Sequence, residues 1–342
     1  MGRGLSAGVA MKAWGALLVA LTLVLPAAAQ QGIDQAQVKA LFASARFSEL
    51  EAVYAPLVPA RTRNRWGEFH SEEFFRSLDA RGSAHTDEAW AIFDNLTSRW
   101  LEHSPAAPAA AIAKALGLIE RASDLDVKHS WTDIDGLVQR AQESLERVRA
   151  TSVKDPTWHA AMLDVARMQG GNEARLRAEV FAAVGGESWA LSPYLAAAHA
   201  FSLDRPQSLG LLAELAALAV RHTKRGDGQS MYARVYLGAV PWYPAIRANP
   251  FGAGHMDWAK LNPAMSDLHT HFPQQHLLNQ HAALACLAGD RATASTLIER
   301  IGTSPIRASW DYWGGVPLYD NCREWVNRQP EAIGPRKIAS TH

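Results

Sequence analysis

The chain of 342 residues carries 34 basic and 34 acidic side chains, so its formal charge at pH 7 is zero. This balance gives no attraction of the whole molecule to phosphate backbones or anionic membranes, and it disfavours a nucleic-acid partner. The chain is also long for one compact core, so two subdomains or an elongated stack of elements are expected.

The first 29 residues have the pattern of an export signal. Arg3 and Lys12 precede a largely apolar run, AWGALLVALTLVL. Pro26 follows this run and leads into three alanines. A basic start, a short apolar segment and an A-x-A site are typical of a secretory signal peptide, here cleaved after Ala29. The alternative is an uncleaved membrane anchor, but a spanning helix needs roughly 20 apolar residues. We therefore expect a periplasmic or secreted protein with no stable membrane span.

Helix signals follow one another along the rest of the chain. Asp155-Pro156 combines an N-cap residue with proline at the first helical position, and Ser104-Pro105 and Ser192-Pro193 repeat this start signal. Apolar residues also recur at the spacing of an amphipathic helix between residues 132 and 150. These residues are Ile134, Leu137, Val138, Ala141, Leu145 and Val148.

The segment from His276 to Gly302, HLLNQHAALACLAGDRATASTLIERIG, predicts two short helices. Asp290 is suited to the N-cap of the second helix and Gly302 to its C-terminal end. Two helices with apolar stripes and a tight connection form an αα-hairpin.

The fold class predicted from these signals is all-α. We find no sustained period-two alternation, so little or no sheet is expected, and the hairpins recur without a fixed repeat period. The predicted organisation is a signal peptide at 1–29, a helical hairpin array at 30–240, and a C-terminal helical hairpin and tail at 274–342. Between them, residues 241–273 contain proline, glycine and aromatic residues together and predict a long irregular connection. The result is an irregular, repeat-like stack of αα-hairpins.

Several segments occur in an order that is similar to a bacterial family. They are RWLEHSPAAPAAAIAKAL, HSWTDIDGLVQRAQESLERV, DPTWHAAMLDVARMQGG, GQSMYARVY and ACLAGDRATASTLIERIG, with Tyr319, Cys322 and Trp325 behind them. In this order the chain resembles the family catalogued as domain of unknown function 4034, from about Trp100 onward and more loosely from Phe42. One departure is FSLDRPQSLG, where the family pattern has a tryptophan-glycine-glycine turn. The resemblance implies a helical domain with no assigned chemistry, and it transfers no catalytic residue.

The two cysteines, Cys286 and Cys322, both lie near the C-terminus. In an oxidising compartment such a pair can form one disulfide, which would connect the last hairpin to the C-terminal segment. The alternative is that Cys286 is a small buried hydrophobic residue on an alanine-leucine face. The sequence leaves both interpretations open.

Histidines are the first candidate for chemistry, because five of the thirteen fall between His255 and His281. The segment SDLHTHF contains Asp267, His269 and His271, and a histidine-x-histidine step of this kind chelates metals at strand ends in barrel-type hydrolases. That chemistry needs further ligands on other strands, and the chain predicts no strands. We therefore expect no metal site and no cofactor, with these three residues as the candidates if one exists.

Aromatic and acidic residues are the remaining candidates. Trp310, Tyr312 and Trp313 in SWDYWGGVPLY form an aromatic group that could stack on a sugar or hold a peptide, or else belong to the core. Glu72-Glu73 and Asp133-Asp135 are examples of acid pairs for a glycosidase, but such carboxylates are usually solvated or start helices.

No assembled catalytic motif is present, since the chain contains no G-x-S-x-G elbow and no P-loop. We predict an exported helical protein that binds a protein or peptide along a helical surface. The alternatives are a metal-assisted or carboxylate-based hydrolase of a cell-envelope polymer, and an accessory domain with a purely structural role.

Overall fold

α-Helices account for nearly all regular structure in the described part of the chain. The structure, a computed structural model, describes residues 32–78, 86–128, 133–186, 188–202 and 207–328. Within these ranges three short 3₁₀ helices lie at Val240–Trp242, Arg307–Ser309 and Asp311–Trp313. The α-helices of the same ranges are α1 (Gln35–Ala43), α2 (Phe47–Tyr54), α3 (Leu57–Ala60), α4 (His70–Ser77), α5 (Asp87–His103), α6 (Pro108–Val127), α7 (Ile134–Arg147), α8 (Arg149–Ser152), α9 (Pro156–Met168), α10 (Glu173–Gly186), α11 (Ser192–Ser202), α12 (Ser208–Asp227), α13 (Ser230–Ala239), α14 (Pro244–Ala248), α15 (Trp258–His271), α16 (Gln275–Leu287), α17 (Arg291–Ile301) and α18 (Gly315–Asn327).

The prediction of an all-α protein is confirmed. Within the described ranges the chain forms no sheet, and its one strand-like contact there is an isolated antiparallel bridge between Arg63 and Phe69. None of the described helices combines the length with the apolar composition that crossing a membrane requires. The irregular, repeat-like stacking of hairpins stays a prediction, and the predicted signal peptide at 1–29 lies outside the described residues.

Two hydrophobic clusters form the interior. The N-terminal cluster draws its buried residues from Val38 to Val165, and the C-terminal cluster draws them from Ala160 to Cys322. Helix α9 belongs to both, because Trp158 and Met162 pack in the first cluster and Leu163 packs in the second. A helix with apolar residues buried on two different faces must have other elements packed against both. Helix α9 is therefore the element on which both clusters are built.

Helix α9 begins at the signal that the sequence predicts. The Asp155 carboxylate accepts a hydrogen bond from the backbone N–H of Thr157 at 2.8 Å, and Pro156 fills the first helical position. The hydroxyl of Tyr54 donates to the other oxygen of the same carboxylate and so ties α2 to the start of α9. Burial raises the pKa of Asp155 to about 6.

A buried ion pair connects the two halves of the chain. Arg63, in the turn between α3 and α4, donates to the Asp227 carboxylate at the end of α12, over 2.5 and 3.1 Å. The Arg63 guanidinium carbon also lies 5.4 Å from the ring centroid of Trp189 and 5.3 Å from that of Phe272. The Asp227 side chain is only 3% exposed, and Arg63 supplies the partner that a buried carboxylate requires.

The same turn requires a glycine at position 67. Gly67 has φ of +76°, and a Cβ atom there would lie 2.6 Å from the Phe272 ring. Both the backbone conformation and the close approach exclude larger residues. The tip of this turn thus packs closely against Phe272, the residue that follows α15.

Residues 241–273 are more helical than the sequence indicates. The prediction of an irregular connection is wrong for α14 and α15, and the second of these extends over 14 residues. The Asp257 carboxylate caps α15 by accepting from the backbone N–H of Ala259 at 3.0 Å. Pro263 removes one backbone hydrogen bond inside the helix, at a cost of about 3 kcal/mol. Burial of the apolar face of α15 offsets that cost; this face consists of Leu261, Ala264, Met265 and Leu268.

The start of α6 also differs from its prediction. Ser104 directly follows the end of α5, and α6 begins at Pro108 rather than at Pro105. The backbone N–H of Ala107 donates to the Ser104 carbonyl at 3.0 Å, which closes a turn between the two helices. The second start signal, Ser192-Pro193, is confirmed, because α11 begins at Ser192.

The predicted hairpin in His276–Gly302 is confirmed as α16 and α17. The Asp290 carboxylate accepts a hydrogen bond from the first turn of α17 at 3.1 Å, and Gly302 ends that helix with φ of +69°. Cys286 on α16 and Cys322 on α18 form a disulfide, with their Cα atoms 5.9 Å apart. The C-terminal helix is thereby linked covalently to the hairpin.

The Arg63–Asp227 pair generates a stability prediction. Asp227→Asn leaves the guanidinium without its carboxylate, and we expect a loss of about 2–4 kcal/mol in the free energy of unfolding. The double variant Arg63→Met, Asp227→Leu should lose less than the sum of its two single changes, because neither charge is then left unpaired. Urea unfolding of the parent protein, Arg63→Met, Asp227→Leu and the double variant measures this coupling.

An exposed pair serves as the control for that cycle. Arg46 and Glu49 have side chains that are 57% and 54% exposed, so Glu49→Gln should change the free energy of unfolding by less than about 0.5 kcal/mol. If the losses in free energy of unfolding from the single changes at Arg63 and Asp227 add up to the loss in the double variant, the buried pair does not connect the two halves.

The raised pKa of Asp155 generates a prediction about pH. A carboxyl group whose folded pKa exceeds its unfolded value of 3.8 favours folding at low pH, and this contribution is lost as pH rises through about 6. Between pH 4 and pH 8 the group should therefore lower the free energy of unfolding by about 2–3 kcal/mol. Asp155→Asn keeps the N-cap and should lack this fall in urea unfolding across the same range. An unchanged pH profile in the variant would contradict the assignment.

Candidate functional site

A groove between α5, α6 and α7 is the candidate functional site. We call it the α5–α7 groove, and it encloses about 250 Å³. Its apolar lining consists of residues that are almost fully buried, namely Trp90, Phe93, Leu118 and Leu137. Charged residues from all three helices complete the lining: Asp87, Asp94, Lys114, Arg121 and Arg140.

A glycine on α6 allows α5 to approach closely beneath the groove. A Cβ atom at Gly117 would lie 2.5 Å from the Phe93 ring, so a larger residue would displace the aromatic side chain. On the same helix Lys114 is only 8% exposed. The groove therefore lies where α6 carries a glycine and a buried lysine among its alanine and leucine residues.

The buried ammonium group of Lys114 has three acceptors for its three hydrogens. These acceptors are the Asp94 carboxylate at 2.5 Å, the Asp94 carbonyl at 3.2 Å and the Ser98 hydroxyl at 2.8 Å. Pairing and hydrogen bonding of this kind make burial of a charge tolerable. Lys114 thus contributes a fixed positive charge to the groove rather than a donor for a ligand.

The two arginines differ in how fully they are engaged. Arg121 pairs with both Asp87 and Asp124 and lies 5.9 Å from the ring centroid of Trp90. Arg140 has a side chain that is 49% exposed, and its one ion pair within the described residues is a 3.4 Å contact with Asp94. A guanidinium has five N–H donors, so Arg140 retains donors that can bind a carboxylate.

The groove therefore combines an apolar lining with a small excess of positive charge. Its three cations and two carboxylates sum to one positive charge. Such a surface can bury one apolar side chain and pair an adjacent acid with a guanidinium. Among the described residues that line the groove, none is a nucleophile held beside a general base.

Sequence reasoning did not identify this groove. Trp90 is a buried apolar residue on its helix, and Lys114 and Gly117 lie in a segment whose apolar pattern predicts a helix but no groove. The available signal was a lysine in the middle of PAAAIAKALGLIE, on a helix that is otherwise alanine, leucine and isoleucine at that end. Which helices meet around that lysine depends on tertiary packing.

The aromatic group predicted for binding is mostly interior. Trp310 is fully buried, and its indole N–H donates to the side-chain oxygen of Asn279 at 2.9 Å. Trp313 is also buried, whereas Tyr312 is 46% exposed. The prediction of an exposed aromatic surface is therefore wrong for Trp310 and Trp313. The 3₁₀ turns of this segment direct both tryptophans into the C-terminal cluster.

The three metal candidates are divided among different contacts. Asp267, His269 and His271 lie on α15, and the Asp267 carboxylate accepts from the backbone N–H of Gln229 at 2.7 Å. His269 packs beside His281 on α16, with ring centroids 5.6 Å apart, while His271 is exposed. Within the described ranges no three His, Cys, Asp or Glu side chains come together as metal ligands.

The histidine pair on α15 and α16 is uncharged. Burial lowers the pKa of His269 to about 4 and that of His281 to about 3, and the positive charge of Arg300 acts in the same direction. At neutral pH each imidazole is therefore neutral and has one nitrogen that carries a lone pair.

The acid pairs serve as structural groups. Glu72 accepts hydrogen bonds from the backbone N–H groups of Phe69 at 2.9 Å and Ser192 at 3.2 Å, and burial raises its pKa. Glu73 accepts from side chains of three residues around it. Asp133 precedes the first residue of α7 with φ of +66°. The Glu72 and Glu73 carboxylates thus hold segments together, whereas Asp133 and Asp135 are exposed at the start of α7.

No protein-family model, curated protein or solved structure matches the chain. The α5–α7 groove is accordingly described from its own geometry, and the resemblance to the family of unknown function stays a prediction.

Proposed function

We propose that this chain is an exported helical protein that binds a segment of another protein or a peptide in the α5–α7 groove. The observation that carries the proposal is the combination, in one groove of about 250 Å³, of a buried aromatic lining with a half-exposed arginine. Export and membership of the family of unknown function 4034 are part of the same proposal, and they rest on the sequence patterns alone.

The shape of the groove favours a peptide over a small metabolite. Sites for small molecules usually enclose about 300–1,000 Å³ and surround most of the ligand. The α5–α7 groove is smaller, and side chains from three helices line it. Peptide recognition by helical surfaces needs a groove of this kind, in which one or two apolar anchors are buried.

The charges of the groove specify the peptide further. Arg140 has unused donors, and the lining carries a net positive charge, so an acidic residue beside the apolar anchor is favoured. We therefore expect the bound segment to contain an aromatic or aliphatic side chain adjacent to aspartate, glutamate or a free C-terminal carboxylate.

A peptide library displayed on phage tests this proposal. Selection on the purified chain should enrich peptides with an apolar residue next to an acid, and an enriched peptide should bind in a fluorescence titration. Ala91 is exposed and lines the groove, so Ala91→Trp should fill it and weaken binding at least tenfold. Glu102→Trp is the matched control, because Glu102 is exposed on the same helix outside the groove.

The charge requirement has its own variant pair. Arg140→Glu should weaken binding of the acidic peptide about tenfold or more, since a favourable ion pair becomes a repulsion. Arg147→Glu makes the same change at an exposed position of α7 away from the groove and should have little effect. Enrichment of no peptide, or equal binding by Ala91→Trp and the parent protein, would refute the proposal.

A further inference from the structure

The turn between α3 and α4 exposes two large side chains at its tip. The backbone N–H of Gly67 donates to the Asn64 carbonyl at 2.9 Å, so Arg65 and Trp66 occupy the two central positions of a β-turn. Both residues are exposed, Trp66 to 39%. Glycine, proline, asparagine and aspartate are the residues that turns favour, so the turn itself gives no reason for an arginine followed by a tryptophan. We call this exposed pair the Arg65–Trp66 corner.

The backbone of the Arg65–Trp66 corner is held by groups from other parts of the chain. The Arg65 carbonyl accepts a hydrogen bond from the side-chain amide of Gln274 at 3.0 Å. The Trp66 carbonyl accepts from the buried guanidinium of Arg234, on α13, at 3.2 Å. The backbone N–H of Trp66 donates to the side-chain oxygen of Asn64 at 2.8 Å. The corner is therefore fixed in position before any partner binds, which lowers the entropic cost of binding.

The side chains of the corner keep hydrogen-bond donors free. The Arg65 guanidinium lies 5.1 Å from the Trp66 ring centroid, and it forms no hydrogen bond or ion pair with any described residue. The imidazole of His276 lies beside the same indole, with ring centroids 5.0 Å apart. Burial lowers the pKa of His276, so this imidazole is neutral at pH 7. The corner thus presents one positive charge next to an exposed apolar ring.

The other charges of the turn are already paired. Glu68 accepts from the Arg76 guanidinium at 2.7 Å, and Arg63 is neutralised by Asp227. Arg65 is left without a counter-charge among the described residues. A guanidinium binds a carboxylate through two parallel hydrogen bonds, so a carboxylate is the group that best complements this corner.

We propose that the Arg65–Trp66 corner is a second docking site of the chain, for an acidic segment of a partner protein. An aspartate or glutamate of that segment binds the Arg65 guanidinium, and an apolar side chain beside it packs against the indole of Trp66. Tryptophan and arginine are among the residues that contribute most binding energy at protein interfaces. A sugar fits the corner less well, because stacking requires an open ring face and the Arg65 guanidinium already lies over the indole.

Selection of phage-displayed peptides on the Ala91→Trp variant tests the corner separately from the α5–α7 groove, which that change fills. The corner and the groove share no residue. Enriched peptides should contain an acid next to an apolar residue, and a fluorescein-labelled copy should bind Ala91→Trp and the parent chain equally in an anisotropy titration. Trp66→Ala and Arg65→Glu, introduced separately, should each weaken binding about tenfold or more. Circular dichroism verifies that both variants fold.

Two exposed residues outside the corner provide matched controls. Phe181→Ala removes an aromatic side chain that is 60% exposed on α10, and Arg99→Glu reverses an exposed charge on α5. Both variants should bind the peptide as the parent chain does. Enrichment of no peptide on Ala91→Trp, enriched peptides without acids, or binding that survives in both corner variants would overturn the proposal. So would Trp66-dependent binding to phosphatidylglycerol vesicles with no peptide binding, which would assign the corner to a membrane surface. A failure of the groove proposal leaves these measurements unaffected.

Discussion

The burial of most of α9, on faces that belong to both hydrophobic clusters, is the constraint on which the rest of the structure depends. A helix of 13 residues with ten of them buried cannot lie at a surface. Trp158 and Met162 require one group of helices, and Leu163 requires another, so the chain must pack on both sides of α9. The two hydrophobic clusters are consequences of that requirement. The buried pair Arg63–Asp227 adds a second connection between the same parts of the chain.

The two proposed binding surfaces arise from the same physical circumstance, in which buried polar residues lie beside exposed ones and hold them in place. Lys114 is fully hydrogen-bonded and shares Asp94 with the half-exposed Arg140. Arg234 is also buried, and it donates to the backbone carbonyl of the exposed Trp66. Buried polar groups are costly unless they are paired, so a structure that retains them does so for packing, specificity or a ligand.

Local signals in the sequence were sufficient to predict the fold class and the positions of several helix ends. Asp155, Asp290 and Gly302 act through neighbours within a few residues, so their caps could be predicted. Helix α15 could not be predicted in this way, because the residues that bury its apolar face and so compensate Pro263 come from distant parts of the chain. The same reason explains Trp310, whose partner Asn279 lies 31 residues away. The α5–α7 groove and the contacts that hold the Arg65–Trp66 corner are likewise products of tertiary packing, which the spacing of residues along the chain does not specify.

Hydrogen exchange in a variant of α9 tests most directly whether both clusters depend on this helix. Leu163 is fully buried in the C-terminal cluster, and Leu163→Ala should cost about 2–5 kcal/mol. If α9 couples the clusters, protection from exchange should fall by the same free energy in α6, within the N-terminal cluster, as in α12, within the C-terminal one. A loss of protection in α12 with none in α6 would show that the two clusters unfold separately and would contradict this account.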